Sequence, residues 1–258
     1  VRAMKDLIEC VVETLDGFDV GLYPHLPFLL QDLWRMGSDP EAMVSLLKRE
    51  GVVRPGRVLD LGCGKGAVSI RIAEVLGCPV KGIDAVPAFI DAARARATDH
   101  RVGRLCRFVI GDIRAWTWEP EKFDVIVFGA LGRILGDMKE TLAFLAGSLN
   151  ERGCVLLDDG FLEDNSPTVY DRCLRRSEFY GQIAAAGFEV AGEDLLSKEA
   201  IEATDRSFYQ MIERRAAELI LSHPEQAGLL RGYLESQEVE NSILENDLVC
   251  GTWLLRLK

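Results

Sequence analysis

The chain lacks any run of about 20 uncharged apolar residues, the length that a helix needs to cross a bilayer. Its first residues, with Arg2, Lys5, Asp6 and Glu9 spread among them, also lack the charge-then-apolar order of a secretory signal. The expectation is a cytoplasmic protein with no membrane partner. Paired cysteines are missing too: Cys10, Cys63, Cys78, Cys106, Cys154, Cys173 and Cys250 form no C-x-x-C pair, which reads as reduced thiols rather than a disulfide framework. Only three histidines occur, His25, His100 and His223, no two of them close, so no metal site is expected. Positive charge is scarce. Thirty Lys and Arg face 41 Asp and Glu, a formal net charge of -11, which would repel a nucleic-acid backbone and leaves a small molecule as the expected partner. Arg172, Arg175 and Arg176 form a local basic strip that reads as a solvated helix face.

No repeat, low-complexity tract or Gly/Ser linker interrupts the chain, and 48% of its residues are hydrophobic, so 1–258 reads as one domain with a sizeable core. Residues 1–52 read as an N-terminal helical cap. Met4 to Leu15 is amphipathic, His25 to Met36 gives a second such piece, and "SDPEAMVSLLKREG" carries a cap at Ser38 or Asp39, Pro40 in the first turn and Gly51 as the stop. From Arg57 short β-rich runs alternate with helical stretches: Arg57–Leu61, Pro79–Asp84, Leu105–Ile110, Phe123–Phe128 and Gly153–Asp158. That alternation predicts an α/β fold with a mostly parallel sheet. A helix over Ser177–Ala186, a strand over Phe188–Leu196 and a closing strand over Cys250–Leu257 bring the sheet to seven strands. The core thus runs over 53–196 and the closing segment over 248–258. Between them, 197–247 is far longer than the ~2–6 residues of a plain connection and reads as a helical hairpin broken at Ser222-His223-Pro224, an insertion or lid.

"VLDLGCGKGAVSIRIAE", Val58 to Glu74, is where a ligand is expected. Gly62, Gly64 and Gly66 end a strand and open a helix, a turn at which free N–H groups face a ligand. Gly62, Gly64 and Ala67 also fit the dinucleotide pattern G-x-G-x-x-G/A, so the glycines alone leave two cofactors open. Asp60 separates them: a carboxylate below the turn repels a pyrophosphate and favours a ligand that carries an ammonium group. Asp84 ends the next strand, placed to accept ribose hydroxyls. The third strand ends in "VIGDIRAW", where Asp112 faces an adenine amino group and Ile113 its ring. Lys65 reads as solvated and Cys63 as a small filler.

With these residues the chain resembles the class I S-adenosylmethionine-dependent methyltransferases. "VLDLGCGKG" looks like their first motif, "VKGIDAVPAFIDAA" their second, "FVIGDI" their adenine-side motif and "FDVIVFGALG" their fourth strand. The resemblance implies a Rossmann-like sheet ordered 3-2-1-4-5-7-6 with the last strand antiparallel, and S-adenosyl-L-methionine as cofactor. By position it implies Asp60, Gly62, Cys63 and Gly64 around the methionine part, Asp84 and Ala85 at the ribose, Asp112 and Ile113 at the adenine, and Gly129 and Ala130 beside the reactive methyl. Catechol-type members of the family bind magnesium through carboxylates like those in "LLDDGFLEDN", but they also supply an Asp where this chain has "FGALG".

The expected reaction is methyl transfer to a small molecule by in-line displacement. A base is needed only where the acceptor loses a proton, and the candidates are Asp159 in the fifth strand with Asp158 before it, His25, and Tyr170 in the subsequent loop. No N/D-P-P-Y/W motif follows Phe128 and no Pro-Cys nucleophile occurs, which argues against nucleic-acid and many protein acceptors. Two other readings stay open: a noncatalytic S-adenosylmethionine-binding module, and an NAD-dependent oxidoreductase supported by the glycine pattern and Asp84 alone.

Overall fold

The computed structural model describes residues 6–115 and 121–258. In chain order the helices are α1 (Leu7–Thr14), α2 (Leu26–Leu29), α3 (Pro40–Arg49), α4 (Ala67–Leu76), α5 (Pro87–Asp99), α6 (Met138–Ala146), α7 (Arg176–Ala185), α8 (Lys198–Ser222) and α9 (Ala227–Asn246). The strands are β1 (Val58–Leu61), β2 (Val80–Asp84), β3 (Cys106–Ile110), β4 (Phe123–Gly129), β5 (Leu149–Leu162), β6 (Leu174–Arg175), β7 (Phe188–Leu195) and β8 (Leu248–Leu257). They fall into two compact units, Val1–Trp34 with Leu196–Leu248, and Arg35–Leu195 with Val249–Lys258. The expected 1–52 cap is therefore divided: α1 and α2 group with the α8–α9 hairpin, and α3 groups with the sheet.

In the sheet unit the strand order is β3-β2-β1-β4-β5-β8-β7, with the two-residue β6 added beside β5. Pairing is parallel through β3, β2, β1, β4 and β5, and antiparallel between β7 and β8. Apart from β6, which makes an eighth strand, this is the expected path. All four residues of β1 are buried, as a central parallel strand covered on both faces requires. One correction concerns β5. It does not stop at Asp158 but runs on to Leu162, because Phe161 and Leu162 pair with Leu174 and Arg175 of β6. Phe161, Phe179 and Trp253 stack there at centroid distances of 4.9–6.0 Å, so the extension is held by buried aromatic surface.

α3 starts as its sequence predicts, and of the two candidate caps it uses Asp39, which accepts from the N–H of Glu41 at 2.8 Å. The piece expected as a helix from His25 to Met36 shrinks to the single turn of α2. A single turn cannot be held by its own backbone bonds, and the stretch beyond it is fixed by side chains. Asp32 accepts from Arg215 at 2.7 and 2.8 Å and from Arg214 at 2.6 Å, both on α8. In the same helical unit α9 grips the end of α1, with the Tyr233 hydroxyl donating to the Leu15 carbonyl at 3.0 Å. Ile212, Ala216, Leu219 and Leu230 form the buried stripe of the hairpin.

The two guanidiniums hold the Asp32 carboxyl well below the usual carboxylate range. Its contribution is therefore complete above about pH 4 and is lost on acidification. Asp32→Ala leaves Arg214 and Arg215 as neighbouring like charges, whereas Arg214→Ala keeps the Arg215 fork. Thermal unfolding at pH 7 should show a larger fall in midpoint for Asp32→Ala than for Arg214→Ala.

Candidate active site

The turn after β1 takes the form that its glycines allow. Gly62, Gly64 and Gly66 have φ of 66°, 51° and 76°, a region that side chains rarely adopt. Its N–H groups are used differently from the expectation. Cys63 donates to the Ile83 carbonyl at 3.0 Å and so continues the parallel ladder past β1, while Gly66 donates to the Cys63 carbonyl at 2.8 Å. Gly64 donates to Oδ2 of Asp84 at 2.9 Å, and Val86 donates to Oδ1 at 2.8 Å. The N–H groups of Cys63 and Gly64 thus serve the loop itself. The Ala85 N–H also bonds to this carboxylate, so Asp84 ties the glycine turn to the chain leading into α5 through three backbone N–H groups. A carboxylate offers about four acceptor sites, and these bonds leave room for a hydroxyl beside them.

Asp60 lies below the turn at 4% exposure and accepts from the Ser69 hydroxyl of α4 at 2.5 Å. Burial, with the Asp84 charge added, pushes its carboxyl up to about 7. The Cys63 thiol is buried against Gly82 of β2, and burial pushes it well above its ordinary value, which makes it the filler that the sequence suggests. Lys65 departs from expectation. It is 4% exposed rather than solvated, and its ammonium lies 5.4 Å from the centre of the Phe89 ring.

After β3, Ile113 is buried in the main core with Leu61 and Ile83. The Asp112 carboxylate is held by Arg114, a residue that the sequence reading passed over: Nε lies 3.0 Å from Oδ1, one terminal nitrogen 2.8 Å from Oδ2, and the Arg114 N–H also donates to Oδ1. This fork lowers the Asp112 pKa. The signal was available, since an Arg two residues after an Asp in a turn is within reach of it. Trp116, the last residue of that motif, lies outside the described residues.

At the end of β4, Gly129 pairs in register with Asp158 of β5, and Ala130, at φ 54°, donates its N–H to the Asp158 carbonyl at 2.9 Å. The bare face of Gly129 is filled by the Ser38 hydroxyl and the Met43 methyl. Leu131 fills that of Gly62, and a Cβ at Gly64 would come within 2.5 Å of the Met36 methyl. The Asp158 carboxylate accepts from the hydroxyls of Thr252, at 3.3 Å, and Ser38. Burial, with Asp159 and Asp39 nearby, pushes Asp158 up to about 7, and burial pushes Asp159 up to about 6.

Asp159 and Tyr170 belong to the unit that carries the glycine turn, and His25 belongs to the helical unit. Tyr170 sits in a turn whose carbonyl accepts from the Cys173 N–H, in the loop between β5 and β6. That loop is organised by Arg175, whose guanidinium donates to the carbonyls of Glu163, Asp164, Ser166 and Thr168 at 3.0–3.4 Å. Arg176 pairs with Glu163 and lies over Phe161. Within the basic strip Arg175 is thus a loop anchor, while Arg172 and Arg176 are exposed, as a solvated face requires. Among the described residues no three His, Cys, Asp or Glu side chains converge to hold a metal ion, and no helix is long and apolar enough to cross a membrane.

Comparison with known proteins agrees with this geometry. A family described as the methyltransferase domain matches residues 54–214, more than half of the chain. Trans-aconitate 2-methyltransferase of Methylobacterium radiotolerans is 31% identical over 176 residues, 67% of this chain and 62% of that protein. Ribosomal protein L11 methyltransferase of Exiguobacterium sp. is 25% identical over 157 residues, 60% of this chain and 45% of that protein. The matches thus span about half of these curated relatives' lengths. Among solved structures, the S-adenosylmethionine-dependent methyltransferase of Geobacter sulfurreducens, in complex with S-adenosylhomocysteine, is similar in fold. It has a TM-score of 0.77 and 22% identity over 90% of this chain and 97% of that one.

The raised carboxyls make stability depend on pH in a defined sense. An Asp with a native pKa near 7 and an unfolded value near 3.9 keeps its proton only in the folded state between these values, so stability falls as pH rises through that window, by roughly 1.4 kcal/mol per unit. Asp158→Asn removes one such group. The melting temperature of wild type should fall between pH 5 and pH 8, and that of Asp158→Asn should fall less.

Proposed function

Because the chain belongs to the methyltransferase-domain family, we propose that it binds S-adenosylmethionine at the carboxyl ends of β1 to β4 and transfers the methyl group to a small molecule. The observation that carries this reading is the Asp84 carboxylate. It stands at the carboxyl end of β2 and holds the Gly64 N–H with one oxygen and the Val86 N–H with the other, beside the turn where a ribose would lie. Gly62 and Gly64 turn the backbone at the end of β1 in a conformation that side chains rarely adopt, and Asp60, once ionised, places negative charge below the turn, against a pyrophosphate and in favour of an ammonium.

When bound, S-adenosylmethionine supplies a methyl carbon already activated by a sulfonium. The chain's part is to align and enclose. Asp84 accepts the ribose hydroxyls, Ile113 presents an apolar face to the adenine, and the Asp112–Arg114 pair shapes the edge of that subsite. Ala130, at positive φ with its N–H on the Asp158 carbonyl, turns the chain away from the end of β4 beside Gly129. For an acceptor that must lose a proton, Asp159, whose carboxyl burial pushes up to about 6, is the candidate base.

The two relatives are named for a small acid and for a ribosomal protein, so the acceptor does not follow from kinship. The neighbouring Asp158 and Asp159 disfavour a polycarboxylate such as aconitate, and the net charge of -11 disfavours nucleic acid. Both favour a neutral or cationic small molecule.

Calorimetric titration with S-adenosylmethionine, S-adenosylhomocysteine and NAD tests the cofactor. Wild type should bind the first two and not NAD. Asp84→Ala should weaken binding by about a hundredfold or more, the loss of two hydrogen bonds to a charged group. Equal affinity in the variant, or binding of NAD alone, refutes the assignment. A pH series gives a second check. Asp60 must ionise to attract the ammonium, so S-adenosylhomocysteine affinity should fall as pH drops below about 7, and Asp60→Asn should flatten that dependence.

A further inference from the structure

α4 opens without a cap of its own. Its N-cap is Gly66, at φ 76°, which has no side chain to hold the free N–H groups of the first turn. The missing acceptor comes from β1. Ser69, in that first turn, donates its hydroxyl to Oδ2 of Asp60 at 2.5 Å, and its N–H also bonds to the Asp60 carboxylate. A strand carboxylate therefore caps the helix, and the aligned peptide dipoles favour an anion at a helix N-terminus. Ser69 is fully buried and Asp60 nearly so, which keeps water from replacing either bond. Among the described residues the other ionisable groups that face Asp60 are Asp84 on β2, which brings like charge, and the thiols of Cys63 in the turn and Cys106 on β3, which burial keeps neutral. Cys106 is itself turned toward Ser69, its sulfur 3.9 Å from the Ser69 carbonyl.

We propose that Ser69 is a positioning residue of the cofactor site: its hydroxyl fixes the Asp60 carboxylate below the glycine turn and favours the ionised form, the one that attracts the ammonium of the ligand. This rests on the cofactor reading above and adds to it the group that readies Asp60. A hydroxyl donated to a carboxylate stabilises the anion and holds it in one orientation. Burial acts in the other direction and pushes the Asp60 carboxyl up to about 7, with both Ser69 bonds opposing it. Without the hydroxyl, burial and the Asp84 charge are opposed by the Ser69 N–H alone, so Asp60 takes up a proton at a higher pH. α4 keeps its cap through that N–H, because a backbone bond survives substitution of the side chain. A hydroxyl that served the fold alone would change stability and leave the pH range of binding where it was.

The test is calorimetric titration of the full chain with S-adenosylhomocysteine between about pH 5.5 and 9. Wild type, Ser69→Ala, Asp60→Asn, the Ser69→Ala/Asp60→Asn double variant and Asp84→Ala are compared, with melting temperatures to confirm folding. The loss of one hydrogen bond to a charged group corresponds to about one pH unit or more, so the midpoint of the affinity profile should rise by about that much in Ser69→Ala. At pH 7 this variant should bind about fivefold more weakly than wild type, and at pH 9 about equally. The ratio to wild type at each pH removes the titration of the ligand's own amino group. In the Asp60→Asn background, Ser69→Ala should change affinity by the same factor at every pH, because the group it acts through is gone. Should Ser69→Ala fail to fold, Ser69→Cys, of similar size and with only a weak donor, carries the same expectation. If wild type shows a midpoint and the folded Ser69 variant keeps it, the role of Ser69 is refuted while the cofactor reading stands. If wild-type affinity is flat below about pH 8 and Asp84→Ala abolishes binding, Asp60 exerts no pull on the ligand, and the proposal fails with the cofactor still assigned. If wild type binds at no pH, both fail.

Discussion

The Asp84 carboxylate joins the ends of two neighbouring strands, and the rest of the site depends on that contact. β1 must give way to a helix within a few residues while remaining beside β2. Three left-handed glycines allow the turn, but glycine costs conformational entropy, so something has to select one conformation. The Cys63 N–H does so by extending the ladder to Ile83, and the Gly64 N–H does so by reaching Asp84. With the loop pinned at two consecutive N–H groups, α4 starts in a fixed place over β1. Ser69 then arrives above Asp60, and the adjacent strand ends take their levels around the turn.

The sheet unit also buries several carboxylates. Asp60, Asp84, Asp158 and Asp159 all have raised carboxyls, and burial is the first cause for each. Where neighbouring charge adds, it comes from carboxylates: Asp84 on Asp60, and Asp159 with Asp39 on Asp158. Folding alone gains nothing from such an arrangement, because each group is costly to ionise where it sits. A ligand that brings positive charge lowers that cost, so part of the stability that the chain forgoes returns as binding energy. Asp60 and Asp84 lie at the carboxyl ends of β1 and β2, and Asp158 is in register with Gly129 at the end of β4, the side on which parallel α/β sheets place their ligands.

The sheet was legible in the sequence because its central strands are buried on both faces and read as short apolar runs, as in "VIVF" and, around Asp60, "VLDL". The glycine turn was legible because φ above zero leaves little choice of residue. Features that depend on distant partners were not. The extension of β5 to Leu162 rests on pairing with β6, and "DDGFL" does not show it. The segment after α2 looked helical by spacing but is held by Arg214 and Arg215, some 180 residues away in sequence. Lys65 looked solvated because it is charged, yet its stem is buried and its ammonium faces Phe89, as long amphipathic side chains allow. Arg175 looked like surface charge, although four loop carbonyls face it.

The family match covers 54–214, and the residues assigned to the cofactor, Asp60 through Ala130, all lie inside it. The residues that touch the other side of Gly129 and Asp158 come from beyond both ends of the match: Ser38 and Met43 before it, Thr252 after it. A shared cofactor constrains the first group through a fixed shape, with two hydroxyls, an adenine and an ammonium. The second group lies outside the stretch that the family shares, so the family's motifs do not dictate it.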